Sequence, residues 1–173
     1  MKTKLKILIS GCGGFLGRSL AASLVNKGHK LGYSNFTKKQ ILNLIKLCKL
    51  LVKKYRIKNS NIVGHSDIAP LRKIDPGEKF PWQYLSEKKI GIWHNENLNY
   101  LKKFRKKNIY YKKDRRIFIN ILKKIGYKVS GKKGELRLKK TIKAFQRRFR
   151  KELINGNLDQ ECLIIAKSLK KRL

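Results

Sequence analysis

The chain has 173 residues, of which 45 are Lys or Arg and 10 are Asp or Glu, for a net charge of +35. That length holds one ordinary domain, or a small domain plus a module of roughly 60 residues; no apolar run approaches a membrane span. Three widely spaced cysteines, Cys12, Cys48 and Cys162, argue against a disulfide framework or a cysteine-based zinc site. Such a charge ordinarily points to nucleic acid or another polyanion. Here the lysines are spread over nearly every segment among many Ile and Asn residues, a mixture that AT-rich coding also produces. The composition therefore supports a salt-sensitive attraction to anionic surfaces such as cell-wall polymers, with no specific nucleic-acid site expected. A basic nucleic-acid-binding protein stays as an alternative.

In chain order, residues 6–10 read as a buried strand, and Gly11-Cys12-Gly13-Gly14-Phe15-Leu16-Gly17 as a glycine-rich turn feeding an apolar helix over 18–27. Gly11, Gly14 and Gly17 resemble the first βα unit of an extended short-chain dehydrogenase or sugar-nucleotide epimerase. The acidic residue such a fold needs after its second strand is missing at Lys30-Leu31-Gly32-Tyr33-Ser34-Asn35, and no further βα units follow. The start also has the outline of a lipoprotein signal ending at Cys12, but its apolar core is too short and is interrupted by Lys6.

Thr37 and Gln40 form a capping box, and Ile41, Leu44, Ile45, Cys48, Leu51, Val52 and Tyr55 share one helical face. This helix is expected to cover a sheet containing the β-prone run Asn61-Ile62-Val63, its lysines making a solvated face. After that run comes the loop from Gly64 to Gly77, which holds His65 and then, between Pro70 and Pro76, Lys73 and Asp75. An imidazole and a carboxylate in such a loop are either a hydrogen-bonded turn or two ligands of a metal site. Zinc accepts this mixed donor set, and a catalytic zinc needs three protein ligands and an open position. If residues 73–75 are extended, Lys73 lies on the same side as Asp75, where its ammonium could stabilise an oxyanion. Trp82 and Trp93 are expected to pack in the core.

Residues 96–113 are polar, basic and without clear periodicity, and read as a linker with a short helical piece. Beyond them, Ile117, Phe118, Ile121, Leu122 and Ile125 mark one helix, ended by Gly126. Leu138, Ile142, Phe145 and Phe149 mark a second. Asp159 caps a third that carries Cys162, Ile165, Ala166 and Leu169. Arg147, Arg148 and Arg150 are expected on an exposed helix face, with phosphate or nucleic-acid binding as the alternative.

Gly64-His65-Ser66-Asp67-Ile68-Ala69-Pro70, Arg72-Lys73, Asp75-Pro76-Gly77, Phe80-Pro81-Trp82 and Gly91-Ile92-Trp93 occur in an order and spacing that resemble the zinc-dependent N-acetylmuramoyl-L-alanine amidases with a C-terminal peptidoglycan-binding domain. Leu122, Gly126-Tyr127, Ala144-Phe145-Gln146, Phe149, Asn155-Gly156 and Asp159 resemble that C-terminal domain. The resemblance covers roughly residues 26–173. It implies an α/β fold, in which a truncated amidase-like domain (1–95, epimerase-like over 1–25 and amidase-like over 26–95) precedes a linker (96–113) and a small three-helix bundle (114–173). It implies His65 and Asp75 as Zn2+ ligands, Lys73 as the lysine that assists catalysis, and peptidoglycan as partner. The reaction implied is hydrolysis of the amide between the lactyl group of N-acetylmuramic acid and L-alanine, with zinc-bound water as nucleophile. Leu71 departs from the small residue often found there. Ser23 stands where the family has an essential glutamate, and the first zinc histidine has no counterpart, so weak or absent activity is expected of this chain. A non-catalytic peptidoglycan binder is the alternative. The resemblance implies a monomer in the cell envelope or periplasm; without a regular signal peptide, a cytoplasmic location stays open.

Overall fold

Helix α1, Lys38–Tyr55, starts at the expected capping box: the Thr37 side chain accepts from the Gln40 N–H, and the Gln40 side chain accepts from the Thr37 N–H. Two of the otherwise unpaired first-turn donors are thereby satisfied, a device that contributes about 1 kcal/mol. The helix ends where Arg56 takes the left-handed conformation and returns its N–H to the Val52 carbonyl. The computed structural model describes residues 35–127, 129 and 135–173. The expected strand at 6–10, the glycine-rich turn, the helix over 18–27, and Cys12 and Ser23 lie outside those residues.

Residues Phe36–Leu173 form one compact unit. After α1 come α2 (His65–Ile68), α3 (Trp82–Glu87), α4 (Leu98–Lys102), α5 (Lys112–Lys124), α6 (Glu135–Phe149) and α7 (Gln160–Lys170). No strand occurs among the described residues, only an isolated antiparallel bridge between Asn108 and Asp159. The α/β class is therefore not confirmed. The run Asn61-Ile62-Val63 does not form the expected strand: Asn59–Asn61 make a 3-10 turn, and Ile62 is extended without a ladder partner. Asn59, Ser60 and Asn61 are residue types that favour turns over strands, and the turn is closed by the Asn61 N–H donating to the Lys58 carbonyl and the Ile62 N–H to the Asn59 carbonyl.

Two apolar clusters result. In the first, Ile41 and Ile45 of α1, with Leu44 and Cys48 beside them, pack on Leu85 and Ile90, with Ile62 and Phe80 at the margin. So, among the described residues, α1 covers α3 and its flanking loops. The second cluster gathers Phe118, Ile121 and Leu122 of α5, Ile142, Phe145 and Phe149 of α6, and Cys162, Ile165, Ala166 and Leu169 of α7. These are the positions the 3.6-residue period marked. Phe118 and Phe145 meet edge to face at 5.1 Å. Between the clusters, α4 sends Leu101 into the second core, and Ile92 joins it.

The connection from α6 to α7 is closed by Gln146, fully buried, whose amide donates to Asn155 Oδ1 and the Asn157 carbonyl while its oxygen accepts from the Gly156 N–H. Gly156, at φ +80°, has no room for a side chain, since a Cβ would fall 2.6 Å from Lys139 Cγ. Asp159 caps α7 by accepting from the Cys162 N–H at 2.9 Å. No helix among the described residues is long and apolar enough to cross a membrane.

Candidate active site

The segment after Ile62 turns sharply, and Gly64 makes the turn possible. Its φ of −82° is open to any residue, so the need for glycine is one of space: a Cβ would stand 2.9 Å from Pro76 Cδ and 3.2 Å from the Trp82 ring. With that clearance the chain enters α2, whose first residue is His65. The sequence suggested an irregular loop here; the segment instead makes one helical turn before Pro70 stops it. Asp67 Oδ2 reaches back to the Gly64 N–H at 2.8 Å, satisfying a donor at the helix start. The Ser66 N–H donates to the Asp75 carbonyl at 2.9 Å. That bond ties the start of the turn to the end of the loop.

His65 and Asp75, ten residues apart, are thereby brought together: Nδ1 lies 3.1 Å from Oδ2, with the two side chains 41% and 61% exposed. Both donors are open to solvent, as a pair that receives a ligand must be. Lys73 is half-buried, with its N–H donating to the Ala69 carbonyl at 3.0 Å. It lines a groove with Arg72 and, from α6, Lys140, Lys143 and Arg147. Among the described residues no group of three His, Cys, Asp or Glu side chains is placed to hold a metal ion. His94 is buried and stacked on Trp93 at 5.0 Å, within a different part of the fold.

What the sequence did not reveal is how the turn is held. Arg148 of α6 is buried, and its guanidinium donates to Asp67 Oδ2 at 2.5 Å and to the Ile62 carbonyl at 3.3 Å while lying 4.0 Å over the Trp82 ring. A helix 81 residues away in sequence thus clamps the residue two positions from His65. Tyr127 packs beside this pair; burial, with the Asp67 charge adding to it, holds its phenol well above the ordinary pKa. Arg148 and Arg150 therefore correct the expectation of an exposed arginine face. Arg150 is 1% exposed and bonded to Asp159, to Glu161 Oε2 at 3.1 Å and to the Leu153 carbonyl at 2.8 Å. A signal was present: Thr141, Phe145 and Arg148 follow the i, i+4, i+7 spacing of one helical stripe.

Residues 9–78 match the family described as N-acetylmuramoyl-L-alanine amidase. The N-acetylmuramoyl-L-alanine amidase AmiD of Escherichia coli is 35% identical over 157 residues, covering 87% of this chain and 56% of its own length. This chain is similar to the N-acetylmuramoyl-L-alanine amidases over part of their length. A 1,6-anhydro-N-acetylmuramyl-L-alanine amidase, AmpD of Haemophilus influenzae, is 48% identical over 56 residues, 31% of this chain and 30% of its own. Among solved structures, E. coli AmiD in complex with the substrate anhydro-N-acetylmuramic acid-L-Ala-D-gamma-Glu-L-Lys superposes with a TM-score of 0.67 at 34% identity, covering 82% of this chain and 55% of that one. AmpDh3 of Pseudomonas aeruginosa gives 0.69 at 30% identity, covering 82% and 56%. The chain spans little more than half the length of AmiD and AmpDh3.

Proposed function

We propose that this chain is an N-acetylmuramoyl-L-alanine amidase-like hydrolase of peptidoglycan, directed at the amide between the lactyl group of N-acetylmuramic acid and L-alanine and incomplete or weakly active as this chain. The observation that carries the reading is the pairing of His65 Nδ1 with Asp75 Oδ2 at 3.1 Å in a solvent-open turn, in a chain similar to these amidases. An imidazole nitrogen and a carboxylate oxygen side by side suit zinc in chemistry. They supply two donors of the three a catalytic site uses, and the described residues supply no third.

His65 and Asp75 would hold the metal. When bound, zinc supplies Lewis acidity at the scissile carbonyl and a nucleophile at neutral pH. Gly64 and Asp67 shape the turn that presents His65, and the Ser66 N–H to Asp75 carbonyl bond fixes Asp75 against it. Lys73 is assigned the stabilisation of negative charge developing on the substrate carbonyl oxygen, as an ammonium does best in a site shielded from bulk water. Its half-buried position meets that condition in part. A truncated amidase-like domain over 1–95, a linker over 96–113 and a C-terminal peptidoglycan-binding module over 114–173 belong to the same proposal.

Metal analysis and a product assay together test it. Stoichiometric zinc that disappears in His65→Ala and in Asp75→Ala, with at most slow release of L-alanine-linked peptides from peptidoglycan, is the expected result; release at ordinary enzyme rates overturns the expectation of weak activity. The two-donor count favours one other reading, a non-catalytic cell-wall binder. That reading replaces the first if the protein takes up no zinc, releases no peptide, and still sediments with peptidoglycan.

A further inference from the structure

Beside the turn lies a groove of about 210 Å³ with two walls. Arg72 and Lys73 come from the loop, and Lys140, Lys143 and Arg147 from α6; among the described residues no acidic one lines it. The walls are held together at two places. Lys140 Nζ donates to the Leu71 carbonyl at 3.4 Å, and Arg148, the neighbour of Arg147, is bonded to Asp67. Among the described residues no carboxylate lies within ion-pair distance of Arg72, Lys73, Lys140 or Lys143.

Cations are common on this chain, so their number alone carries no weight. What distinguishes this place is its concave shape, its two-walled construction and its inclusion of Lys73. Like charges gathered on the walls of a cleft repel one another, and low-dielectric walls focus their field into the cleft. A bound anion relieves the repulsion. The groove is also small, suited to one or two oxyanions and their flanking atoms. A nucleic-acid strand would need a longer cationic track with aromatic platforms.

We infer that the groove is a subsite for a carboxylate of the peptide part of the substrate, with α6 of the C-terminal half supplying three of its five cations. The inference rests on the amidase reading. The substrate bound to E. coli AmiD contains D-γ-Glu, and a glutamate linked through its side-chain carboxyl keeps its α-carboxylate free. That anion is one residue beyond the L-alanine whose amide is cleaved, close enough to the reacting bond to fall beside Lys73. Arg72 can bind a carboxylate in a two-pronged fashion, and the lysines act as point charges around it.

Titration calorimetry on the zinc-free protein tests this with two peptides, L-Ala-D-γ-Glu-L-Lys and the same peptide with the glutamate α-carboxylate converted to an amide. The acid should bind about tenfold or more tighter, the scale of a charge-assisted contact. Lys140→Ala/Lys143→Ala should remove most of that preference. Lys38→Ala/Lys39→Ala, the same loss of charge at the exposed start of α1, should leave it intact. If the groove double variant does not fold, by circular dichroism, Lys140→Gln alone should move the preference in the same direction. Equal binding of acid and amide overturns the inference, as does a preference that survives in the groove variant or falls equally in the α1 variant. A short single-stranded oligonucleotide that displaces the peptide and binds more tightly also overturns it, as a general polyanion site. Zinc uptake on the same samples is a separate readout. Loss of zinc with the peptide preference retained sinks the catalytic reading and not the groove, and the reverse pattern sinks only the groove.

Discussion

Replacing Arg148 by methionine keeps most of the apolar stem while removing the guanidinium, so it isolates the clamp on the turn. The variant loses the bonds to Asp67 and to the Ile62 carbonyl, and the cation face on Trp82. Asp67, 1% exposed, keeps its bond from the Gly64 N–H but loses its cation. Removing one member of a buried pair costs about 3–5 kcal/mol, most of it the penalty of the stranded charge. Against a total stability of roughly 5–15 kcal/mol this is a large fraction, and for a chain of this size it lowers Tm by about 6–20 °C. Urea and thermal unfolding followed by tryptophan fluorescence measure it, since Trp82 sits under the guanidinium. Arg148→Met/Asp67→Asn should cost clearly less than the two single changes added, because the double variant strands no full charge. A loss below about 1 kcal/mol for Arg148→Met, the level of a solvated surface pair, would refute the reasoning. So would strict additivity in the double variant. The clamp also predicts weaker zinc uptake by Arg148→Met at temperatures where it is still folded, since Asp67 shapes the turn carrying His65.

Gly64→Ala places a methyl 2.9 Å from Pro76 and 3.2 Å from Trp82, and should cost about 1–3 kcal/mol in urea unfolding through overpacking. Cys162 is fully buried, and burial pushes its thiol up to about 12; alkylation near pH 8 should modify Cys48 far faster, its own upward shift being that of a half-buried group. For His94, burial lowers the imidazole pKa below its ordinary 6.5, opposed by the Phe149 backbone and by Glu96, Glu152 and Glu161, while no well-formed hydrogen bond reaches either ring nitrogen. The unfolded chain then takes up this proton first as pH falls, so its contribution is present above about pH 6.5 and is lost as the pH drops through the folded value; His94→Phe should flatten the dependence of unfolding midpoint on pH between about 7 and 5. Arg150→Lys keeps the charge but cannot span Asp159, Glu161 and the Leu153 carbonyl together, and should lose about 1–3 kcal/mol in urea unfolding.

Local patterns were the legible ones. The capping box at Thr37, the period of Phe118, Leu122 and Ile125, and the cap at Asp159 each lie within one element, and each is found where the spacing put it. The His65–Asp75 pair was legible for the same reason, since the two residues belong to one short loop. Helix α2 was not, because four residues are too few to show a 3.6-residue period. Arg148 was read as surface by its residue type, although its helical position placed it with Thr141 and Phe145. Its partner Asp67 is too remote in sequence for any local pattern to name. The strand expected at 61–63 rested on three β-prone residues, a signal that flanking asparagine and serine outweigh.

The charge of +35 takes on a different meaning once burial is known. Only ten residues are acidic, yet Asp67, Asp159 and Glu161 are buried, and each faces an arginine. Glu161 also receives two bonds from Arg105, at 2.7 and 2.8 Å, completing a network with Arg150 and Asp159. If a general drift toward lysine had set every position, lysine would be expected at these sites as well. A lysine ammonium cannot make the two-pronged contact of Arg105, the three-acceptor contact of Arg150, or the stack of Arg148 on Trp82. Arginine therefore occupies the positions where geometry constrains the cation, while exposed lysines fill much of the surface. The composition thus describes that surface, and the arginine clamps carry the information about how the His65 turn is built.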